Sequence, residues 1–267
     1  MNFIRNSIIQ GNALEKLRDL PASIFQMCVT SPPYWGLRDY GIPPTVWGGD
    51  PTHVHEWLDK IPGDHRKGQR GATSAIADRA IAAEQFCACG AWLGCFGLEP
   101  TPDMYVEHAV MIFSEVRRVL NEDGTLWLNM GDCYISNPKS DEGDPKYRGG
   151  RDRIDNPNRR PIPGLKPKDL LGMPWRLAFA LQADGWYLRS DIIWHKPNPM
   201  PGSQKDRPTT AHEYIFLLSK SQRYFYDDDA IKSNQRRARR YKNDTGPCQS
   251  NFTQIIRRRV TLLPLRP

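Results

Sequence analysis

Two adjacent prolines directly after an apolar run dictate where this chain must leave a sheet. Ile24 to Val29 has the length and character of a short buried strand. Pro32 and Pro33 cannot continue its ladder, because proline has a locked φ and no amide hydrogen. The chain therefore exits into a rigid loop, Thr30-Ser31-Pro32-Pro33-Tyr34-Trp35, at the carboxyl end of the strand, where open α/β sheets place their chemistry. The prolines also withdraw two donors, so the carbonyls of Ser31 and Pro32 are left to accept hydrogen bonds from elsewhere. With the flat faces of Tyr34 and Trp35 beside them, these acceptors suit a planar heterocycle bearing an exocyclic amino group. Such a base must be swung out of its stack before its amine can be reached.

The surrounding periodicity predicts alternating strands and helices. Ile4 to Ile9 reads as a strand, and Gly11 to Leu17 opens a short helix with Leu14, Leu17 and Leu20 on one face. Thr101-Pro102-Asp103 combines a cap, a first-turn proline and an acid, followed by Tyr105, Ala109, Ile112, Phe113, Val116 and Leu120 at helical spacing. Asn121 to Gly124 stops this helix, Thr125 to Met130 is a strand, and Gly131 to Tyr134 is its exit loop. A helix and strand following the catalytic strand bring Asn129 and Asp132 to the same carboxyl edge as Ser31, with Asp132 available to hold the loop. Ser136 to Pro167 has no period and offers Arg151, Arg153, Arg159 and Arg160 either to phosphates or to solvent. A helix from Pro174 to about Ala183, a strand from Tyr187 to Trp194, and antiparallel strands at His212 to Ser219 and Arg223 to Tyr226 complete the pattern.

Charge and cysteine placement narrow the partners. The net charge of +7 is concentrated after residue 231, where ten Lys and Arg face one acid, Asp244, so the body of the chain is slightly acidic. A nucleic-acid partner is indicated by that tail and by basic clusters at Arg148 to Arg160 and Lys196 to Arg207. No stretch is apolar over the roughly 18 residues a membrane helix needs, and the first residues lack the pattern of a secretory signal. Three of the six cysteines crowd into Cys87, Cys89 and Cys95, unlike a disulfide framework, and a reducing, cytoplasmic setting is expected. Residues 36–98 are rich in Gly, Pro, Asp and His and are too long for a simple loop, so they read as an insertion with a short helix around Ala75 to Glu84. Within it His53, His55, Cys87 and Cys89 form a candidate zinc set. One residue separates the cysteines where two to four are usual, Cys95 is a substitute for either, and buried thiols with surface histidines are the alternative.

Thr-Ser-Pro-Pro-Tyr-Trp resembles the catalytic motif of the β-class amino-group DNA methyltransferases, which move a methyl from S-adenosylmethionine to cytosine N4 or adenine N6. A second signature is similar: Ile192 to Asn198, then Arg207-Pro208 and His212 to Phe216. The resemblance implies that Ser31, Pro32, Pro33 and Tyr34 are catalytic. It also implies that Trp35, His195, Lys196 and Asn198 hold the base and DNA, although His195 and Lys196 could simply solvate a strand end. Serine at position 31 looks like the cytosine-N4 branch, aspartate being more usual for adenine. Asn12 stands where relatives carry an acid near the cofactor's adenine, with a plain helix cap as the alternative. The cysteine region resembles a shortened Cys-x-x-Cys-Gly-Ala-Trp metal knuckle.

Beyond Asp229 the resemblance stops, and the expected glycine-rich strand and turn for methionine and ribose is not among these residues. The expectation is an incomplete doubly wound, Rossmann-like α/β sheet. Its catalytic part comprises residues 1–35 and 99–230, with a candidate zinc knuckle inserted at 36–98 and a basic tail at 231–267. Its partner is double-stranded DNA, with the missing half-site supplied by a truncated or interrupted continuation, by a second polypeptide, or by a homodimer partner. The rival functions are adenine-N6 transfer and an inactive DNA-binding remnant.

Overall fold

In a computed structural model of the chain, residues 6–57, 85–135, 164–202 and 204–230 are described. Residues 1–224 form one compact unit. Residues 225–267 form another, of which residues 225–230 are described and residues 228–230 are helical. The basic tail, the arginine cluster at 148–160 and the expected helix at 75–84 lie outside the described residues.

The main sheet has four strands in the order β1-β5-β7-β6. β1 (Phe25–Thr30) pairs in parallel with β5 (Leu120–Met130), while β7 (His212–Ser219) lies antiparallel between β5 and β6 (Tyr187–His195). Alternation along β5 turns Leu126, Leu128 and Met130 into the core, where they meet Phe216 and Leu218 of β7. Each such side chain contributes about 1.5–3 kcal/mol by leaving water.

Two helices cover that face. α2 (Pro102–Val119) starts as its sequence dictates, with Thr101 Oγ1 accepting from the Met104 amide at 3.2 Å, and it buries Tyr105, Ala109, Phe113 and Val116. It packs against both α1 (Ala13–Arg18) and α3 (Met173–Ala183). α3 buries Leu177, Ala178 and Leu181, and the left-handed φ of 97° at Gly185 ends it. Its N-cap, Gly172, has no side chain to offer, and Asp132 in the exit loop of β5 accepts from the Met173 amide instead, at 3.0 Å.

The insertion builds a small antiparallel sheet, β2-β4-β3, from β2 (Thr45–Trp47), β3 (Gln85–Phe86) and β4 (Trp92–Gly94). Trp47 and Trp92 stack on His108 of α2 with ring centroids 4.7 and 5.5 Å away. His108 in turn meets the fully buried Glu99 at 3.1 Å, so a buried polar pair joins the insertion to the main core.

Four expectations are corrected. Among the described residues β1 is not buried but lies at the sheet edge, and Phe25, Met27 and Val29 are 40%, 37% and 47% exposed. An apolar run specifies a strand but not whether both its faces are covered. Residues 6–9 form no strand; Asn6 has φ 59°, and Ile8 and Ile9 are exposed. Asn121 to Gly124 ends the helix yet belongs to β5, bulging out where the pairing jumps from Phe25↔Leu120 to Met27↔Thr125. Residues 223–226 are not a strand either.

Candidate active site

The loop after β1 is pinned from behind and polar in front. Tyr105 Oη donates to the Pro33 carbonyl at 2.9 Å, and the Trp35 indole N–H donates to the Glu99 carbonyl at 2.9 Å. The Gly36 amide donates to the Gly97 carbonyl at 2.8 Å. The Gly97 Cα lies so close that an added methyl would sit 3.0 Å from Pro33 Cβ, and its φ of +95° favours glycine independently. Among the described residues no donor occupies the carbonyls of Ser31 and Pro32.

In front, Ser31 Oγ donates to Tyr34 Oη at 3.1 Å. Tyr34 Oη donates to Glu213 Oε2 at 3.2 Å, and Asn129 Nδ2 donates to both Tyr34 Oη and Glu213 Oε2, each at 3.2 Å. The Lys196 ammonium closes the far side of Glu213 on Oε1. Burial alone would raise the Glu213 carboxyl, but Lys196, Asn129 and Tyr34 together hold it below the usual glutamate range. Burial pushes the Tyr34 phenol above its ordinary value, with the Ser31 hydroxyl working the other way. Its ring lies against Gly131, where a methyl group would stand 2.6 Å from Cε2. Asn129 Oδ1 is buried without a partner among the described residues. Its orientation is nonetheless the favourable one, because the flipped amide would aim an oxygen at the Glu213 carboxylate.

A second constellation lies in the insertion. One ligand atom from each of His53, His55, Cys87 and Cys89 lies within 4.8 Å of all the others. Antiparallel pairing of Trp57 with Cys87 sets His55 opposite Cys89, and Cys89 Sγ is 3.4 Å from His55 Nδ1. The bonds from Cys87 N to Ala91 O and from Gly90 N to Cys87 O, both 2.9 Å, close the cysteine turn. Cys95 takes no part; its thiol donates to the Ile42 carbonyl at 3.3 Å.

A family model for DNA methylases of the N6/N4 type matches residues 25–258. The chain belongs to this family. It is similar to the type II methyltransferase M.SmaI of Serratia marcescens, 44% identical over 226 residues that make up 84% of this chain and 59% of that protein. M.Cfr9I of Citrobacter freundii is 41% identical over 229 residues, 86% of this chain and 59% of that protein. The chain thus spans about three-fifths of the length of these relatives. A solved structure of the PvuII DNA methyltransferase (cytosine-N4-specific) aligns with 81% of this chain and 50% of its own, at 15% identity and a TM-score of 0.43.

In this methylase Ser31, Pro32, Pro33, Tyr34 and Lys196 come together, while the other expected site residues are spread more widely. Trp35 is fully buried, its indole N–H is satisfied by the Glu99 carbonyl, and it braces the loop from behind. Asn12 caps α1, its Oδ1 accepting from the Leu14 and Glu15 amides at 2.9 and 3.4 Å. The acceptor that a cofactor's adenine amine would need is therefore already engaged. His195 ends β6 opposite His212, and Asn198 is exposed in the following loop. Asp132 acts as a cap, its carboxyl raised by burial despite the amides that point at it. Glu213 lies inside the second motif, His212 to Phe216, which gives it no individual role. The signal was a carboxylate in the half-buried start of an otherwise apolar strand.

Proposed function

We propose that this methylase chain presents a base, swung out of double-stranded DNA, for methylation of its exocyclic amine by S-adenosylmethionine, with cytosine N4 as the target. The direction of one hydrogen bond carries this reading. Ser31 Oγ spends its single hydrogen on Tyr34, because Tyr34 has given its own hydrogen to the Glu213 carboxylate that Lys196 keeps ionised. The Ser31 oxygen can then only accept from a substrate, and the Pro32 carbonyl beside it can only accept. Two fixed acceptors suit the two hydrogens of an aromatic amine. Holding both turns the nitrogen lone pair out of conjugation, the geometry a direct attack on a methyl group requires. Tyr34, braced on Gly131, offers a face for the base to stack upon.

S-adenosylmethionine supplies an electrophilic methyl on a sulfonium sulfur. The described residues account for the target amine, and none of them is assigned to that donor once Asn12 is engaged as a cap. In this reading His195, at the end of β6, and the exposed Asn198 are assigned to the DNA and the flipped base.

The test is nucleoside mass spectrometry of DNA incubated with the donor and a polypeptide containing this chain. N4-methylcytosine is the expected product. N6-methyladenine alone would overturn the cytosine assignment in favour of adenine. DNA binding with no methylated nucleoside would favour a DNA-binding remnant.

A further inference from the structure

We infer that His53, His55, Cys87 and Cys89 hold a structural zinc ion, and that this ion sets the insertion in place as the rear support of the catalytic loop. The donor set carries the first half. Two imidazoles and two thiols converge with all four ligand atoms within 4.8 Å of one another. Zinc bonds of about 2.0–2.3 Å in a tetrahedron space the donors about 3.3–3.8 Å apart. The Cys89 Sγ to His55 Nδ1 distance of 3.4 Å already meets that spacing, and the remaining pairs, all within 4.8 Å, need close by little more than an ångström to reach it. Paired thiolates and imidazoles select zinc over the hard, oxygen-seeking cations. Four protein ligands leave no open position for water, as in structural sites.

The insertion has a physical need for such an ion. Its sheet has strands of three, two and three residues, too short to hold together by their own hydrogen bonds. The histidines precede residues 58–84 and the cysteines follow them, so the ion would tie the two roots of that segment together.

Connectivity carries the second half. From Cys89 the chain runs through β4 into residues 95–99, whose backbone holds the catalytic loop. The Gly97 carbonyl takes the Gly36 amide, and the Glu99 carbonyl takes the Trp35 indole. The Glu99 carboxylate fixes this turn by accepting from the Gly97 amide at 2.9 Å. Releasing the metal would free the β3–β4 turn and, through it, the two bonds that hold the chain just after Tyr34. The inference rests on the donor set and these bonds, so a failure of the methylation reading leaves it standing.

Metal analysis of the full chain, purified without chelators, should return stoichiometric zinc; folded protein without zinc overturns the proposal. Cobalt substitution should give intense visible bands of a tetrahedral site with thiolate charge transfer, and weak octahedral bands overturn it. Cys95→Ser should keep the metal and Cys87→Ser with Cys89→Ser should lose it; the reverse pattern refutes the ligand set. If the double variant does not fold, His53→Ala removes one exposed ligand. Competition with a chromophoric chelator should then show zinc affinity reduced on the order of 100-fold, and an unchanged affinity refutes His53 as a ligand. The coupling is read by NMR: stripping the metal should speed exchange of the Gly36 amide and the Trp35 indole hydrogen about tenfold or more. Unchanged exchange at both overturns the coupling.

Discussion

At the residue scale, the site depends on where a few hydrogens point and on one missing side chain. In the proposed reading Ser31 accepts from substrate because Tyr34 takes its hydrogen, and Tyr34 can do so because Glu213 takes the phenolic one. The ring's position depends on Gly131, since a methyl there would stand 2.6 Å from Cε2. Gly131→Ala should therefore act like Tyr34→Ala. Each should weaken binding of an oligonucleotide with an unpaired cytosine by about 1–3 kcal/mol, the worth of one stacked base. Fluorescence titration of the two variants against the parent checks this, and full affinity in Tyr34→Ala would remove the stacking role. Tyr34 was legible in the sequence because of its motif. Glu213 also lies in a motif, but its role was not legible, because that role depends on β7 lying next to β5, which brings it to Asn129 and Tyr34 across more than eighty residues of chain.

At the element scale, the insertion and α2 are joined through a buried polar pair. Glu99 is fully buried and accepts from the Gly97 amide at 2.9 Å while meeting His108 Nδ1 at 3.1 Å. Burial pushes its carboxyl above the ordinary range, with His108 as the largest opposing influence. Glu99→Ala should leave a buried amide and a buried imidazole without partners, a loss of about 3 kcal/mol. Urea denaturation monitored at the tryptophans measures it, and a loss under about 1 kcal/mol would show that the pair is dispensable. Glu99→Gln should cost less, since the amide oxygen still accepts from Gly97. The helices were the most legible elements: α2 carries its cap, its proline and its apolar stripe in sequence, and the structure follows them from Pro102 to Val119.

At the scale of the whole molecule, charge is separated along the chain. Ten Lys and Arg against one acid occupy residues 232–267, and the remainder is slightly acidic. DNA attachment without sequence preference should therefore be carried mainly by those cations. Deleting residues 231–267 should flatten the plot of log affinity against log salt by about 0.9 for each phosphate that the tail neutralises. Filter binding between 50 and 200 mM salt, a range in which such charge pairing changes affinity by orders of magnitude, reads this slope. An unaltered slope would move the DNA-binding cations onto the body of the chain.

Sequence alone determined what local chemistry can enforce. Two prolines ended β1 and left a turn with open carbonyls, and Thr101-Pro102-Asp103 began α2. The His and Cys residues of the insertion offered a candidate zinc set, although one residue between the cysteines departs from the usual spacing. Each of these follows from backbone geometry or side-chain chemistry within a few residues. Only the tertiary structure decided which surfaces were covered and which distant groups met. It made Trp35 a brace of the loop, because the Glu99 carbonyl lies behind it. It excluded Cys95 from the metal set by giving its thiol to Ile42. Burial and long-range hydrogen bonds are properties of the assembled neighbours, and no local pattern in a single segment encodes them.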